Sequence, residues 1–568
     1  MLEKYKKEFA TNISSLFPES FDVETIAGLL EKPKNKSFGH LSLPVFRLSK
    51  ELKKAPVQIA GDLTEKIKTL KIPEISDVNA VSGFINFTWS QAFLNKVLKE
   101  FIESNESIGF SNRFAGKKLI IDYSSPNVAK PMHVGHLRAT VIGQAIRNLA
   151  ETQGYEVVGL NHLGDWGVQY GKLAWAYKKW GSEYDFENKA FESLYALYVK
   201  FHKESEQHPE YVEEGSKIFK KLEDGDEELK VLWKKFIDIS LTEYDKTWAR
   251  LGVKHDLVRG ESFYSDRLEA VVEELKEKEL LTLSDGAWVV ELEDDRPPCL
   301  ITKSDGASLY ATRDLASALY RMKELACDVN LYVVGQEQKL HFSQVFSVLD
   351  KMGYDWASEC HHIAFGMYRF KNQGKMSSRK GQVISLNEVL DQAVSMVKER
   401  INKKNPSLEN KDQVAEIVGV GAVVFNDLLN DRVKDVEFDW DKLTDFEGDS
   451  GPYIQYSAVR SKSLLKKSGG DSYKPSVELK EESELRLINS ILDYESVLSL
   501  SFDKFKPNYL ATYLLDLAKA FSHFYNTCPI LSLEDEDLKK TRLHLVESYL
   551  KVLTEGLSVL NVQVPDEM

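Results

Sequence analysis

Asp122-Tyr-Ser-Ser-Pro-Asn-Val-Ala-Lys-Pro-Met-His133-Val-Gly-His136 places two imidazoles three residues apart where a strand gives way to a helix. Upstream, Lys118-Leu-Ile-Ile-Asp122 has the continuous apolar character of a buried parallel strand. Downstream, Val134 to Gln153 carries helical periodicity that Gly154 ends, and Tyr155-Glu-Val-Val-Gly-Leu160 reads as the next strand. Strand, helix and strand in that order make a right-handed crossover, whose ligand crevice lies at the carboxyl ends of the strands. Both histidines fall there, at a helix N-terminus whose free N–H groups and partial positive charge suit a polyphosphate.

A second cluster lies far downstream. Gly374-Lys375-Met-Ser-Ser378-Arg-Lys380-Gly381 sets cations and hydroxyls between glycines, the composition of a loop able to close over transferring phosphates. Either motif alone has a bland reading, a structural histidine pair or a solvated basic turn. Their order within an α/β chain favours nucleotide chemistry.

With 568 residues, 43% of them hydrophobic and 29% charged, the chain has room for several domains and substantial cores. No apolar run reaches membrane-span length, and Met-Leu-Glu-Lys-Tyr-Lys-Lys lacks the hydrophobic segment of a secretory signal, so a cytoplasmic location is expected. Cys299, Cys327, Cys360 and Cys528 are scattered without metal-ligand spacing, and neither a disulfide nor a structural zinc is expected. A formal net charge of −14 is no bar to a polyanionic partner, because affinity follows where cations gather. Arg460, Lys462, Lys466 and Lys467 gather on one predicted helix.

The segment to about Gly109 reads as helices with short strands, including Gly83-Phe-Ile-Asn-Phe-Thr-Trp89. From about Ala174 to Arg250 the pattern is helical and highly charged, with Trp175, Trp180, Trp233 and Trp248 as packing anchors, and looks like an insertion between halves of the core. Strand signals return at Ala287-Trp-Val-Val-Glu-Leu292 and Val329-Asn-Leu-Tyr-Val-Val334, and the chain after Gly381 is mainly helical. Phe521, Phe524 and Tyr525, at helical spacing, read as core of that last region.

The chain resembles the class I aminoacyl-tRNA synthetases: His133-Val-Gly-His136 is similar to their HIGH signature and Lys375-Met-Ser-Ser378 to their KMSKS loop. Within the class it resembles arginyl-tRNA synthetases, through Ser124-Ser-Pro-Asn127-Val-Ala-Lys-Pro-Met-His133-Val-Gly-His136-Leu-Arg138, Asn161-His-Leu-Gly-Asp165-Trp-Gly167, Tyr310-Ala-Thr-Arg-Asp314, Gly335-Gln-Glu-Gln338-Lys-Leu-His341, Gly451-Pro-Tyr-Ile-Gln-Tyr456 and the ending Val564-Pro-Asp-Glu-Met568. The resemblance implies an α/β fold: a Rossmann-like parallel-sheet catalytic core at 113–390 with a helical insertion near 174–250. An α+β N-terminal appended domain at 1–112 precedes it; a helical connecting segment at 391–450 and an all-α anticodon-binding domain at 451–568 follow.

It also implies the chemistry: arginine activated by ATP to arginyl-adenylate, then transferred to the terminal adenosine of tRNA(Arg), with Mg2+ accompanying ATP and the chain a monomer. His133 and His136 are expected to donate to phosphate, Gly135 to let adenosine approach the backbone, and His162 and Gly164 to border the adenosine. Lys375, Met376, Ser377 and Ser378 are expected at the phosphates. Ser378 stands where the family loop has a second lysine, and Lys130 is the candidate substitute, with Arg379 and Lys380 competing. A planar guanidinium is selected best by a carboxylate; the resemblance places Asp314 there, with Tyr310 beside it and Gln338, or its neighbour Gln336, lining the pocket. Asp122, Ser124, Asn127 and His133 are expected around the rest of the amino acid, Asp122 and Asn127 at its α-amino group. For tRNA, Phe84 and Asn86 in the N-terminal segment and Arg460 and Lys462 near the C-terminal one are the candidates. Two rivals remain: a small nucleotidylyltransferase, which needs no long helical tail, and an inactive tRNA-binding relative, which should have lost a histidine, Lys375 or the Asp314 region.

Overall fold

Three apolar residues, Leu119, Ile120 and Ile121, wholly buried, make the centre of the strand that organises the larger part of the molecule. The computed structural model describes residues 2–33, 35, 38–103, 108–293, 296–303, 310–370, 385–469 and 473–568. They form two compact units, one comprising 1–110, 457–500 and 512–556, the other 111–456, 501–511 and 557–568.

The second unit is built on a five-stranded, all-parallel sheet. Its strands are β1 (Lys118–Asp122), β2 (Glu156–Asn161), β3 (Leu257–Val258), β4 (Val329–Tyr332) and β5 (Cys360–His362), in spatial order β5-β4-β1-β2-β3. From β1 the chain builds outward to β2 and β3, then returns to the other side of β1 for β4 and β5. The order therefore reverses between β1 and β4, and ligands of open α/β sheets bind in the crevice beyond the carboxyl ends at such a point. The segment carrying His133 leaves β1 there, and Gly335-Gln-Glu-Gln338 leaves β4.

The helix after β1, Val134–Thr152, and the strand after it fall where periodicity placed them. The helical insertion is longer than expected. Its first helix, Val168–Trp180, starts at the left-handed Gly167 rather than at Ala174, and three more follow at Ala190–Ser205, Glu210–Glu223 and Glu227–Leu251. Gly252, at φ 67°, ends the last. Beyond residue 385 the regular elements of the described chain are helices except for Val436–Phe438, which pairs in parallel with Tyr368–Phe370. Its alternating burial marks it as a strand too short for periodicity to reveal.

The first unit holds a three-stranded antiparallel sheet, with Phe84–Trp89 between Leu41–Pro44 and Ile75–Val81. Phe521 and Phe524 are buried in its helical part, Phe521 stacking on Tyr549 at 4.1 Å.

Candidate active site

The turn from β1 into the signature helix is held in an unusual backbone conformation. Ser124 (φ 75°), Ser125 (φ 44°) and Ala129 (φ 63°) are all left-handed without being glycine. Each such residue costs on the order of 1–3 kcal/mol and persists only where its surroundings over-determine it. Such strain concentrates at functional sites.

His133 caps the helix that follows. Its Nδ1 accepts the Gly135 N–H (3.0 Å), while Nδ1 of His136 accepts the His133 N–H (3.1 Å). An imidazole whose Nδ1 accepts carries its proton on Nε2 when neutral. Burial holds both rings below the ordinary histidine range, His136 well below, and the Lys130 charge pushes the same way. The backbone thus fixes two neutral imidazoles, their ring centres 4.0 Å apart and their planes tilted by 44°, each with an Nε2–H to donate. Gly135 has a reason beyond ligand approach: a Cβ there would lie 2.8 Å from Cε1 of the His133 ring.

Lys130 is half-buried, its ammonium 5.1 Å from the centre of the Tyr198 ring. Asn127 is exposed and bridges by its backbone to Gly164, where a Cβ would stand 2.3 Å from the Asn127 Oδ1. His162 stacks on Tyr264 at 5.5 Å, and its buried Nδ1 has no protein partner among the described residues. Asp165 plays a structural part, accepting the Ser262 N–H (2.9 Å) and Oγ–H (2.6 Å) at the start of the 3-10 turn Glu261–Arg267.

Two of the residues expected around the amino acid already have partners within the protein. Asp122 is buried as the counter-ion of Arg321, at 2.7 Å, and accepts from Ser125 Oγ as well. Arg321, wholly buried itself, needs that charge, so the acid serves the core first. Ser124 Oγ is buried too, accepting from Trp248 Nε1 (2.9 Å) and lying 2.9 Å from the Thr140 hydroxyl.

On the β4 side, helix Tyr310–Leu319 presents Tyr310, 70% exposed, and one turn later Asp314, whose Oδ2 is 2.6 Å from His341 Nε2. Gln338 and Gln336 are both exposed on the turn after β4. Glu261 pairs with Arg313 at 3.7 Å; burial pushes its carboxyl up to about 7, Arg313 opposing and Asp165 and Asp314 adding to the rise. The expectations on Lys375, Met376, Ser377, Ser378, Arg379 and Lys380 fall outside the described residues. Just beyond them, Ser385 bridges to His133 and the Leu386 N–H donates to Met132 O (2.8 Å).

In the first unit, Phe84 is half-buried, edge-on to the exposed Phe46 at 5.1 Å. Asn86 is buried, its Oδ1 accepting from Ser42 Oγ (2.8 Å). Arg460 lies 3.9 Å over the Tyr525 ring, and Lys462 is half-buried on the same helix. The sequence reading missed Arg321, Glu261 and His341. Only His341 carried a signal, its place in the quoted Gly335–His341 run.

Three family models match the chain: "tRNA synthetases class I (R), catalytic domain" at 100–440, "DALR anticodon binding domain" at 454–568, and "Arginyl tRNA synthetase N terminal domain" at 3–89. An arginine–tRNA ligase of Clostridium beijerinckii is 44% identical over 552 residues, 96% of this chain and 97% of that protein. One of Exiguobacterium sibiricum is 43% identical over 568 residues, 99% of this chain and 100% of its own. Among solved structures, Thermus thermophilus arginyl-tRNA synthetase matches with a TM-score of 0.85 at 25% identity, covering 100% of both chains. The Plasmodium falciparum enzyme matches with a TM-score of 0.80 at 25% identity, covering 99% of both.

Proposed function

The chain belongs to the arginyl-tRNA synthetase family of class I, its reaction being the ATP-dependent ligation of arginine to tRNA, and from that premise we propose how its own residues carry the reaction. The observation that carries the reading is the pair of reciprocal backbone caps that make His133 and His136 neutral Nε2–H donors at a helix N-terminus. An arginine carboxylate oxygen attacks the α-phosphate of ATP in line, forming the new O–P bond as the bond to pyrophosphate breaks. Charge spreads over the phosphoryl oxygens, and donors fixed beforehand lower the barrier without reorganising. The two Nε2–H groups and the helix N–H groups meet that charge.

Lys130 takes the place of the lysine that Ser378 replaces, and Lys375 meets the departing pyrophosphate. Asn127 holds the α-amino group; Asp314, with Tyr310 beside it and Glu261 as a second acid, takes the guanidinium; Gln338 lines the pocket. His162 and Gly164 border the adenosine. A ribose hydroxyl of the terminal adenosine of tRNA(Arg) then attacks the adenylate's carbonyl carbon, forming the ester as the bond to the phosphate oxygen breaks and AMP leaves. Magnesium would come with the triphosphate and help neutralise its charge, with no residue of the chain assigned to it.

In this reading residues 1–112 are the appended domain, 113–390 the catalytic one, 391–450 the connection and 451–568 the anticodon-binding domain. Phe84, Arg460 and Lys462 are the tRNA contacts we propose. The chain works in the cytoplasm, where its tRNA is, and as a monomer.

The test is charging of total tRNA by the purified chain with each of the twenty amino acids, beside ATP–pyrophosphate exchange for the Lys130→Ala and Arg379→Ala variants. Arginine alone should be charged, and Lys130→Ala should slow exchange more than Arg379→Ala. An equal or smaller effect of Lys130→Ala sinks the lysine assignment. Tight tRNA binding without charging would favour the inactive relative.

A further inference from the structure

The last helix of the insertion, Glu227–Leu251, turns a polar stripe toward the strained segment after β1. Ser240, Tyr244 and Trp248 stand four residues apart, so they share one face, and all three are buried. Ser240 Oγ donates to Phe236 O (2.7 Å), which turns its lone pair to the Ala129 N–H (3.0 Å). The Tyr244 hydroxyl lies between two carbonyls, Asn127 O at 2.6 Å and Lys130 O at 2.7 Å. Trp248 Nε1 donates to Ser124 Oγ.

These bonds land on the backbone that needs them. Asn127–Lys130 is a turn closed by the Lys130 N–H on Asn127 O (3.3 Å), with left-handed Ala129 at its third position, a place that favours glycine. Without external partners such a turn relaxes, and both of its ends carry side chains assigned to the substrate.

We propose that Tyr244, supported by Ser240 and Trp248, is a positioning residue for arginine activation, holding the Asn127–Lys130 turn so that the Lys130 ammonium reaches the phosphates. The insertion is thereby part of the activation machinery through a polar stripe of its last helix. The proposal rests on the assignment of Lys130 made above.

Tyr244→Phe removes the hydroxyl and keeps the ring in its edge contact with Phe191, 5.8 Å between centres. Displacing a substrate-positioning group by a fraction of an ångström costs about 10- to 100-fold in rate, so kcat for pyrophosphate exchange, run with tRNA present, should fall by that factor while KM for ATP stays within about threefold. In a Lys130→Ala background the same change should add less than about threefold, because residues acting as a unit are not additive. A purely structural hydroxyl would give equal losses in both backgrounds. Ser240→Ala, which removes the Ala129 N–H acceptor, should behave alike and serves if Tyr244→Phe does not fold. A wild-type kcat in both single variants, or losses that multiply in the double variants, overturns the proposal alone. Lys130→Ala exchanging at the wild-type rate overturns the Lys130 assignment, and this proposal with it.

Discussion

Gly135→Ala should separate stability from catalysis. A Cβ at this position would stand 2.8 Å from Cε1 and 3.0 Å from Nδ1 of the His133 ring, where ordinary contact begins at 3.4 Å, so the ring must retreat by about 0.6 Å. It cannot retreat freely, for its Nδ1 holds the Gly135 N–H and the His136 ring lies 4.0 Å away, centre to centre. Breaking the bond forfeits about 0.5–1.5 kcal/mol and releases the tautomer, so that part of the population turns a bare lone pair toward the phosphates. A donor displaced by half an ångström and partly lost should cost about 10²-fold in kcat. Alanine in a helix gains up to about 1 kcal/mol over glycine, which roughly offsets the lost bond, so the stability of the fold should change little. The assay is kcat for arginine-dependent pyrophosphate exchange beside the thermal midpoint of the same sample. Exchange within about threefold of wild type would refute the claim that the ring's exact seat matters, and an equal fall in midpoint would move the loss to folding.

Other outcomes follow from the same geometry. Asp314→Asn removes the charge assigned to the guanidinium and should raise KM for arginine about 30- to 1000-fold, the equivalent of about 2–4 kcal/mol, with KM for ATP nearly unchanged in exchange assays. Burial pushes the Glu261 carboxyl up to about 7, so in the empty site it is only partly ionised at neutral pH; a bound guanidinium favours the ionised form. KM for arginine should therefore fall as pH rises from about 6 to 8, and Glu261→Gln should flatten that dependence. The same raised value makes this group's contribution to folding full below the ordinary carboxylate range and lost as pH rises through about 7, a slope readable in urea unfolding. Arg138→Met strands the buried Asp427 carboxylate, 3.1 Å from Arg138 Nε in the native chain with both side chains fully buried, and should cost about 3–5 kcal/mol in urea unfolding, most of it recovered by adding Asp427→Leu.

What was legible in the sequence was what neighbouring residues decide. The strand Lys118–Asp122, the helix after it and the histidine pair are specified within about 35 residues, and apolar periodicity with a helix start is a local signal. Charge compensation is not local. A buried acid at the end of a strand announces that it needs a partner, but Arg321 lies 199 residues from Asp122, on a helix whose apolar pattern says nothing of that role. The same holds for Asn86, which alternation within Phe84–Trp89 places on a face without saying which face is covered. Ser240 and Tyr244 were unreadable for a further reason: on a long charged helix they look like any polar residues, and their meaning comes from three left-handed residues in another segment. Three non-glycine residues held in left-handed backbone require compensation from elsewhere in the chain. The insertion helix supplies it at the Ala129 turn and at the Ser124 side chain, which ties the insertion to the signature segment energetically although about a hundred residues separate them in sequence.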